Sequence, residues 1–182
     1  NILKLFEQDI EFITNGFSAD YYFDEREAEN YFNNLSLGFE NAPNFSGILI
    51  FQKQSDGKYN IVDGLKRITT LNLLLAALCD SLKLVDEQGL KLSDGIRNKF
   101  LIKQSSPKLI LKDSDNKIFK KIILEEQLEL SEENSNIYNI YHLFLNLINS
   151  GNISSDRLFK IISQIQYMIV MTIETEVATR DL

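Results

Sequence analysis

In the stretch Tyr59-Asn60-Ile61-Val62-Asp63-Gly64-Leu65-Lys66-Arg67-Ile68-Thr69-Thr70-Leu71, a carboxylate, two cations and two hydroxyls fall close together. Asp63-Gly64 marks a tight turn, because glycine tolerates backbone angles that other residues resist. Thr69 or Thr70 is placed to N-cap the leucine-rich helix that follows. The free N–H groups and positive dipole end of that helix would face back toward Lys66 and Arg67. Backbone donors plus two cations at a helix start make an anion pocket, and phosphate is the natural anion. Asp63 beside such a pocket could hold Mg²⁺ or orient water; it could equally be a plain turn residue. The planar fork of Arg67 suits a bidentate phosphate contact, or else a surface ion pair. Lys66 adds a point charge, while Leu65 has no polar group and should pack into the core.

Other chemistry is poorly supplied. His142 is the only histidine and sits in an apolar run, Ile140-Tyr141-His142-Leu143-Phe144, where a packing or surface role is expected. The single cysteine, Cys79, allows no intrachain disulfide and is expected to be buried as a small hydrophobe. No zinc-ligand spacing, Walker A loop, dinucleotide fingerprint or Ser-His-Asp set is present. Tyr21, Tyr22 and Phe23 cluster beside Asp24 and are expected to pack rather than stack on bases.

The elements that must position these residues follow from pattern. Gly47–Lys53 and Lys58–Val62 are rich in strand formers and flank the turn Ser55-Asp56-Gly57, so they read as a hairpin. From Thr69 to about Leu84, Leu71, Leu74, Leu75, Leu78 and Leu82 predict a helix with one buried face. Ile2–Ile13 has helical spacing, 14–24 looks irregular, and Glu25–Leu37 reads as a short acidic helix. Later, Leu90–Gln104 is ambiguous and Pro107–Lys112 reads as extended. Helices are expected from a Ser114 or Asp115 cap to Leu128, over Ile137–Ile148, and from Ser154 or Ser155 to about Gln166. Tyr167–Glu174 reads as a buried strand.

With 182 residues, 44% of them hydrophobic, the chain can bury a core of its own. Disulfide-free composition suits a cytoplasmic protein, and no apolar run reaches the ~18 residues of a membrane span. The net charge of -7 argues against a general nucleic-acid-coating protein. Residues 86–121 nevertheless hold nine Lys/Arg against five Asp/Glu. This local basic region, with Lys117, Lys120 and Lys121 at its end, is either a solvated face or a DNA-backbone contact.

The motif resembles the Asp-Gly-Gln-Gln-Arg signature of the GmrSD-type restriction-enzyme N-terminal domain family, whose core resembles ParB and sulfiredoxin. Ile61, Val62, Asp63, Gly64, Arg67, Thr69, Thr70 and Leu71 match, while Leu65 and Lys66 stand where the family has glutamines. The strand led by Gly47 and the strand near Ile169–Ile173 extend the likeness. The family's opening Ile-Pro-x-Tyr-Gln-Arg-x-Tyr-x-Trp segment is not found, so the chain is expected to be the middle of a longer protein.

The resemblance implies an α+β fold: a ParB/sulfiredoxin-like small sheet with helices over 1–85, then a mainly helical extension over 86–182 ending in a strand and packed on the core. It implies a nucleotide-binding or hydrolysing regulatory domain of a restriction-type anti-phage protein acting on DNA, using Mg²⁺ with a nucleoside triphosphate. Asp63 would be the catalytic and metal-binding residue, with Gly64, Arg67, Thr69 and Thr70 around the phosphates; Lys66, where the family has glutamine, joins them on its charge at the helix start. The alternative is a catalytically inactive DNA-binding or assembly module of the same fold. The His-Asn-His nuclease motif of many members is not in this chain, so cleavage would fall to further domains or a nuclease subunit.

Overall fold

The computed structural model describes residues 2–14, 21–37, 44–150, 155–166 and 168–176. The predicted hairpin is present: β2 (Asn44–Lys53) and β3 (Tyr59–Asp63) pair antiparallel. Gly57, at φ 83°, sits in the turn between them, and Gln54 N–H donates to Lys58 O at 2.8 Å. The Ile2–Ile13 expectation is corrected. Helix α1 (Ile2–Glu7) stops early, and Phe12–Thr14 forms strand β1, parallel to β3. Aromatic and β-branched side chains suit that short strand, and the open flank of β3 gives it hydrogen-bond partners.

Helix α2 (Glu25–Leu37) lies where predicted. Helix α3 (Leu65–Lys83) starts four residues before the expected Thr69. Its burial also exceeds one face: every residue from Ile68 to Leu82 except Asp80 is buried. A helix that is apolar nearly all round belongs inside a fold, and α3 is the central helix here.

Beyond it, α4 (Glu87–Ile96) passes into a π-helical turn, Arg97–Leu101. Short strands follow: β4 (Ile102–Lys103) and β5 (Ser106–Pro107) pair with each other, and β6 (Leu109–Ile110) joins β1. Helix α5 (Asp113–Leu124) ends four residues sooner than expected, because Glu125 turns into the left-handed region at φ 61°. Helix α6 (Asn136–Asn149) is N-capped by Ser135, whose side chain accepts from Tyr138 N–H. Helix α7 (Ser155–Gln166) and strand β7 (Met168–Glu176) are the last of the described elements.

The fold is α+β. The five-stranded sheet runs β6-β1-β3-β2-β7, and only the β2–β3 pair is antiparallel. The sheet does not stop at residue 85, since β6 and β7 both come from the later half of the chain. Helix α3 packs against α4 and α6, and α2 packs against α6 and α7. Phe6, Phe12, Phe32, Phe119 and Phe144 are among the largest fully buried side chains. No described helix is long and apolar enough to cross a membrane.

Candidate functional site

The motif folds as strand, one-residue turn, helix. Asp63 ends the central strand β3, Gly64 turns the chain at φ 95°, and Leu65 opens α3. Only glycine fits at 64: a Cβ there would meet Leu49 Cδ2 at 2.2 Å, and the positive φ disfavours other residues. Just before the turn, the β2–β3 register slips between Ile50 and Phe51, so that Ile50 pairs with Asp63 and Phe51 with Ile61. The slip is a bulge that leaves Val62 56% exposed. These residues line a cleft of ≈ 450 Å³, walled by Tyr21, Phe23, Glu27, Ile61, Val62, Asp63, Gly64, Leu65, Lys66 and Arg67.

The start of α3 is electrostatically unusual. Its first residues have no capping side chain and no acidic residue, and instead carry Lys66 and Arg67. Cations at a helix N-terminus oppose the dipole by about 0.3–1 kcal/mol each. Helix α4, by contrast, begins with Asp86 accepting from Gly89 N–H at 2.7 Å and with Glu87 in its first turn. A local conflict of this kind, sited in a cleft, marks a place built for something other than stability.

That cleft lies in a chain of which residues 2–181 match the family described as GmrSD restriction endonuclease, N-terminal domain. The chain belongs to this family. Membership places it in restriction-endonuclease-type phage defence. No curated protein matches the chain.

In this GmrSD-family domain the cleft gathers Asp63, Gly64, Lys66 and Arg67 but not the threonines. Thr69 and Thr70 are buried one turn into α3, so neither caps the helix nor reaches the cleft. Thr70 Oγ1 shares a 2.8 Å hydrogen bond with Tyr21 Oη, and burial pushes the Tyr21 hydroxyl pKa well up. Thr69 Oγ1 is buried with no hydrogen-bond partner among the described residues.

Arg67 is only partly available. Its Nη1 donates to Ile48 O of β2 at 2.7 Å, and its guanidinium lies so close to Gly47 that a Cβ there would meet Nε at 2.8 Å. Arg67 therefore ties β2 to the start of α3 and cannot present its whole fork to an anion. Lys66 is exposed and has no ion pair among the described residues. Leu65 is half-buried against the core, as its side chain predicts. Sequence reasoning missed Glu27 and underread Tyr21 and Phe23. Both aromatics do pack, but they also wall the cleft, whereas Tyr22 is exposed.

The basic region folds differently from its sequence appearance. Lys117 and Lys121 both pair with Glu132, at 2.9 Å and 2.8 Å, and Glu132 also accepts from Glu129 N–H. Those bonds, that backbone donor first, hold the Glu132 carboxyl down at about 2. Lys91, Lys99 and Lys103 pair with Glu87, Glu7 and Asp9. Lys108 is buried and donates to three backbone carbonyls, those of Phe6, Gln8 and Lys99. Arg97 is 5% exposed; it donates to Asp80 at 2.8 Å and to Ile123 O at 2.6 Å, and its Nε lies 2.7 Å from Glu125. Tyr141 completes that knot by donating to Asp80 at 2.6 Å, while burial pushes the Asp80 carboxyl up. Of the three lysines at the end of this region, Lys120 alone lacks an ion pair among the described residues.

His142 is exposed, stacks on Tyr138 and bonds Asn146. Cys79 is buried, and burial pushes its thiol up to about 12. No group of three or more metal-ligating side chains occurs among the described residues.

Proposed function

We propose that this domain binds the phosphates of a nucleoside triphosphate at the start of α3 and that this occupancy regulates the restriction activity of the larger system. The observation that carries the reading is a helix whose first turn holds two cations, no acidic residue and no capping side chain, opening on a cleft that Asp63 and Glu27 also line. An anion there accepts hydrogen bonds from the first-turn amides and offsets the charge conflict at once. Lys66 supplies the mobile cation. Arg67 contributes from its remaining nitrogens while it keeps β2 in register with α3.

Asp63 is exposed in the same cleft, and its carboxylate has no ion pair or hydrogen bond among the described residues. Mg²⁺ is ordinarily held by one or two carboxylates together with substrate phosphates, so Asp63, with Glu27 lining the same cleft, fits such an ion without a dedicated cage. When bound, the ion would neutralise charge on the phosphate oxygens. Asp63 would then orient the ion, Lys66 would draw the phosphates in, and Gly64 would let the backbone approach closely. Binding without turnover is the second reading. It rests on Leu65, whose apolar side chain is half-buried against the core and has no group with which to position water.

The test is calorimetric titration with nucleoside triphosphates, with and without Mg²⁺, on wild type and Asp63→Asn. Binding that Mg²⁺ strengthens in wild type but not in Asp63→Asn supports the reading. Binding indifferent to Mg²⁺ in both removes Asp63 from the metal.

A further inference from the structure

The part of the cleft wall formed by Tyr21 and Phe23 is held with unusual care. Residues 21–24 belong to no helix or strand, so their backbone polar groups need partners from elsewhere. Two helices provide them for Tyr21 and Phe23, and a third holds a side chain. Tyr21 N–H donates to Asp115 of α5 at 2.8 Å. Asn136, at the start of α6, grips Phe23 twice, accepting from its N–H at 2.9 Å and donating to its carbonyl at 3.1 Å. Thr70 of α3 holds the Tyr21 hydroxyl. The two rings lie nearly parallel, 17° apart with centroids separated by 6.4 Å. Tyr21 is buried, and Phe23 is half-buried at the lining of the cleft.

A segment that merely connects two elements does not need side chains from 49, 94 and 113 positions away to fix it. Fixing it does set an aromatic ring in advance, which lowers the ordering cost of a ligand that packs on that ring. The exposed Val62 at the bulge adds a second apolar surface to the same cleft. At ≈ 450 Å³ the space falls in the range of small-molecule pockets and exceeds what a bare phosphate would fill.

We infer that Phe23 and Val62 form the base-binding wall of the cleft, so that its ligand is a whole nucleotide held by an aromatic platform at one end and by the α3 amides and Lys66 at the other. The inference rests on the phosphate reading above. Phe23 contacts the base, Val62 covers its other side, and Asn136 is a positioning residue that acts only through the Phe23 backbone.

The experiment compares a nucleoside triphosphate with inorganic tripolyphosphate, both with Mg²⁺, on the full chain. Wild type should prefer the nucleotide by roughly tenfold or more, the scale of one base stacked on an aromatic ring. Phe23→Leu, which keeps apolar bulk, should bring the two affinities close to parity while leaving tripolyphosphate binding unchanged. Val62→Ser, at an exposed position with little bearing on folding, should shrink the preference by a smaller factor. Asn136→Ala should also shrink it without touching tripolyphosphate affinity, which a general loss of structure would not do. Equal affinity in wild type, or a preference that survives both Phe23→Leu and Val62→Ser, would overturn the base wall while leaving the phosphate site standing. Failure of both ligands to bind wild type would remove the phosphate site and the base wall together.

Discussion

Two groups of cations in this chain meet opposite fates. Between residues 86 and 121, positive charge is dense in the sequence, yet of its nine cations Lys91, Arg97, Lys99, Lys103, Lys117 and Lys121 find carboxylates and Lys108 is wrapped in carbonyls, leaving Lys112 and Lys120 without an ion pair among the described residues. At the start of α3 only two cations occur, yet Lys66 is unpaired among the described residues and both oppose a helix dipole. Local charge count is therefore a poor guide to where an anion binds. What matters is whether the fold brings a carboxylate to each cation. Stability resides in the first group, and the capacity to bind is left open in the second.

The largest effect should come from breaking the compensated group at its most buried point. Arg97→Ala takes the cation away from Asp80 and Glu125 and the 2.6 Å donor away from Ile123 O, and should cost about 3–5 kcal/mol, the range for removing one side of a buried pair. A denaturant midpoint near that of wild type would show the knot to be dispensable. Gly64→Ala attacks the other region through its backbone. The added Cβ runs into Leu49, and the overpacking should cost about 1–3 kcal/mol. Because the same change displaces the start of α3, it should also impair ligand binding; a variant that is destabilised but binds normally would detach the turn from the site.

Acid should separate the groups more gently. The folded-state pKa of Glu132 lies at about 2, below its ordinary 4.5. Its contribution is therefore complete above about pH 4.5 and fades as pH falls toward 2. Glu132→Gln should flatten that part of the stability profile, as followed by thermal midpoints across the acid range; an unchanged acid limb would mean that the Glu129 backbone bond and the lysine pairs together contribute nothing in solution. The smallest effect is expected for Lys120→Glu. If residues 117–121 touch duplex DNA at all, this change should alter the salt slope of binding by no more than about 0.9, one phosphate's worth. A larger change would mean that Lys117 and Lys121 leave Glu132 when DNA arrives.

Much of the fold was legible because it is written in local patterns. The hairpin, α2, α6 and α7 follow from turn residues, caps and apolar period. Strand β1 escaped because three residues inside a helix-like run carry too little period to be told apart. The start of α3 was misplaced because Thr69 and Thr70 look like caps, whereas the chain turns on Gly64 and buries both threonines. The site divides in the same way. Asp63, Gly64, Lys66 and Arg67 are contiguous and could be read directly. Glu27 and the Tyr21–Phe23 wall could not, since Thr70, Asp115 and Asn136 reach them only through tertiary packing. No count along the chain could foretell that Glu132 would take two of the three terminal lysines.

The central claim is that the uncompensated start of α3 is an anion site, and Lys66 tests it most directly because it is exposed and has no ion pair to lose. Titration of wild type and Lys66→Ala with one nucleoside triphosphate in Mg²⁺ should show affinity falling roughly tenfold, as expected for loss of one charge-assisted bond. The thermal midpoint should hold or rise, because a cation opposing the helix dipole has been removed. Equal affinities for the two proteins, or no binding by wild type, would contradict the claim.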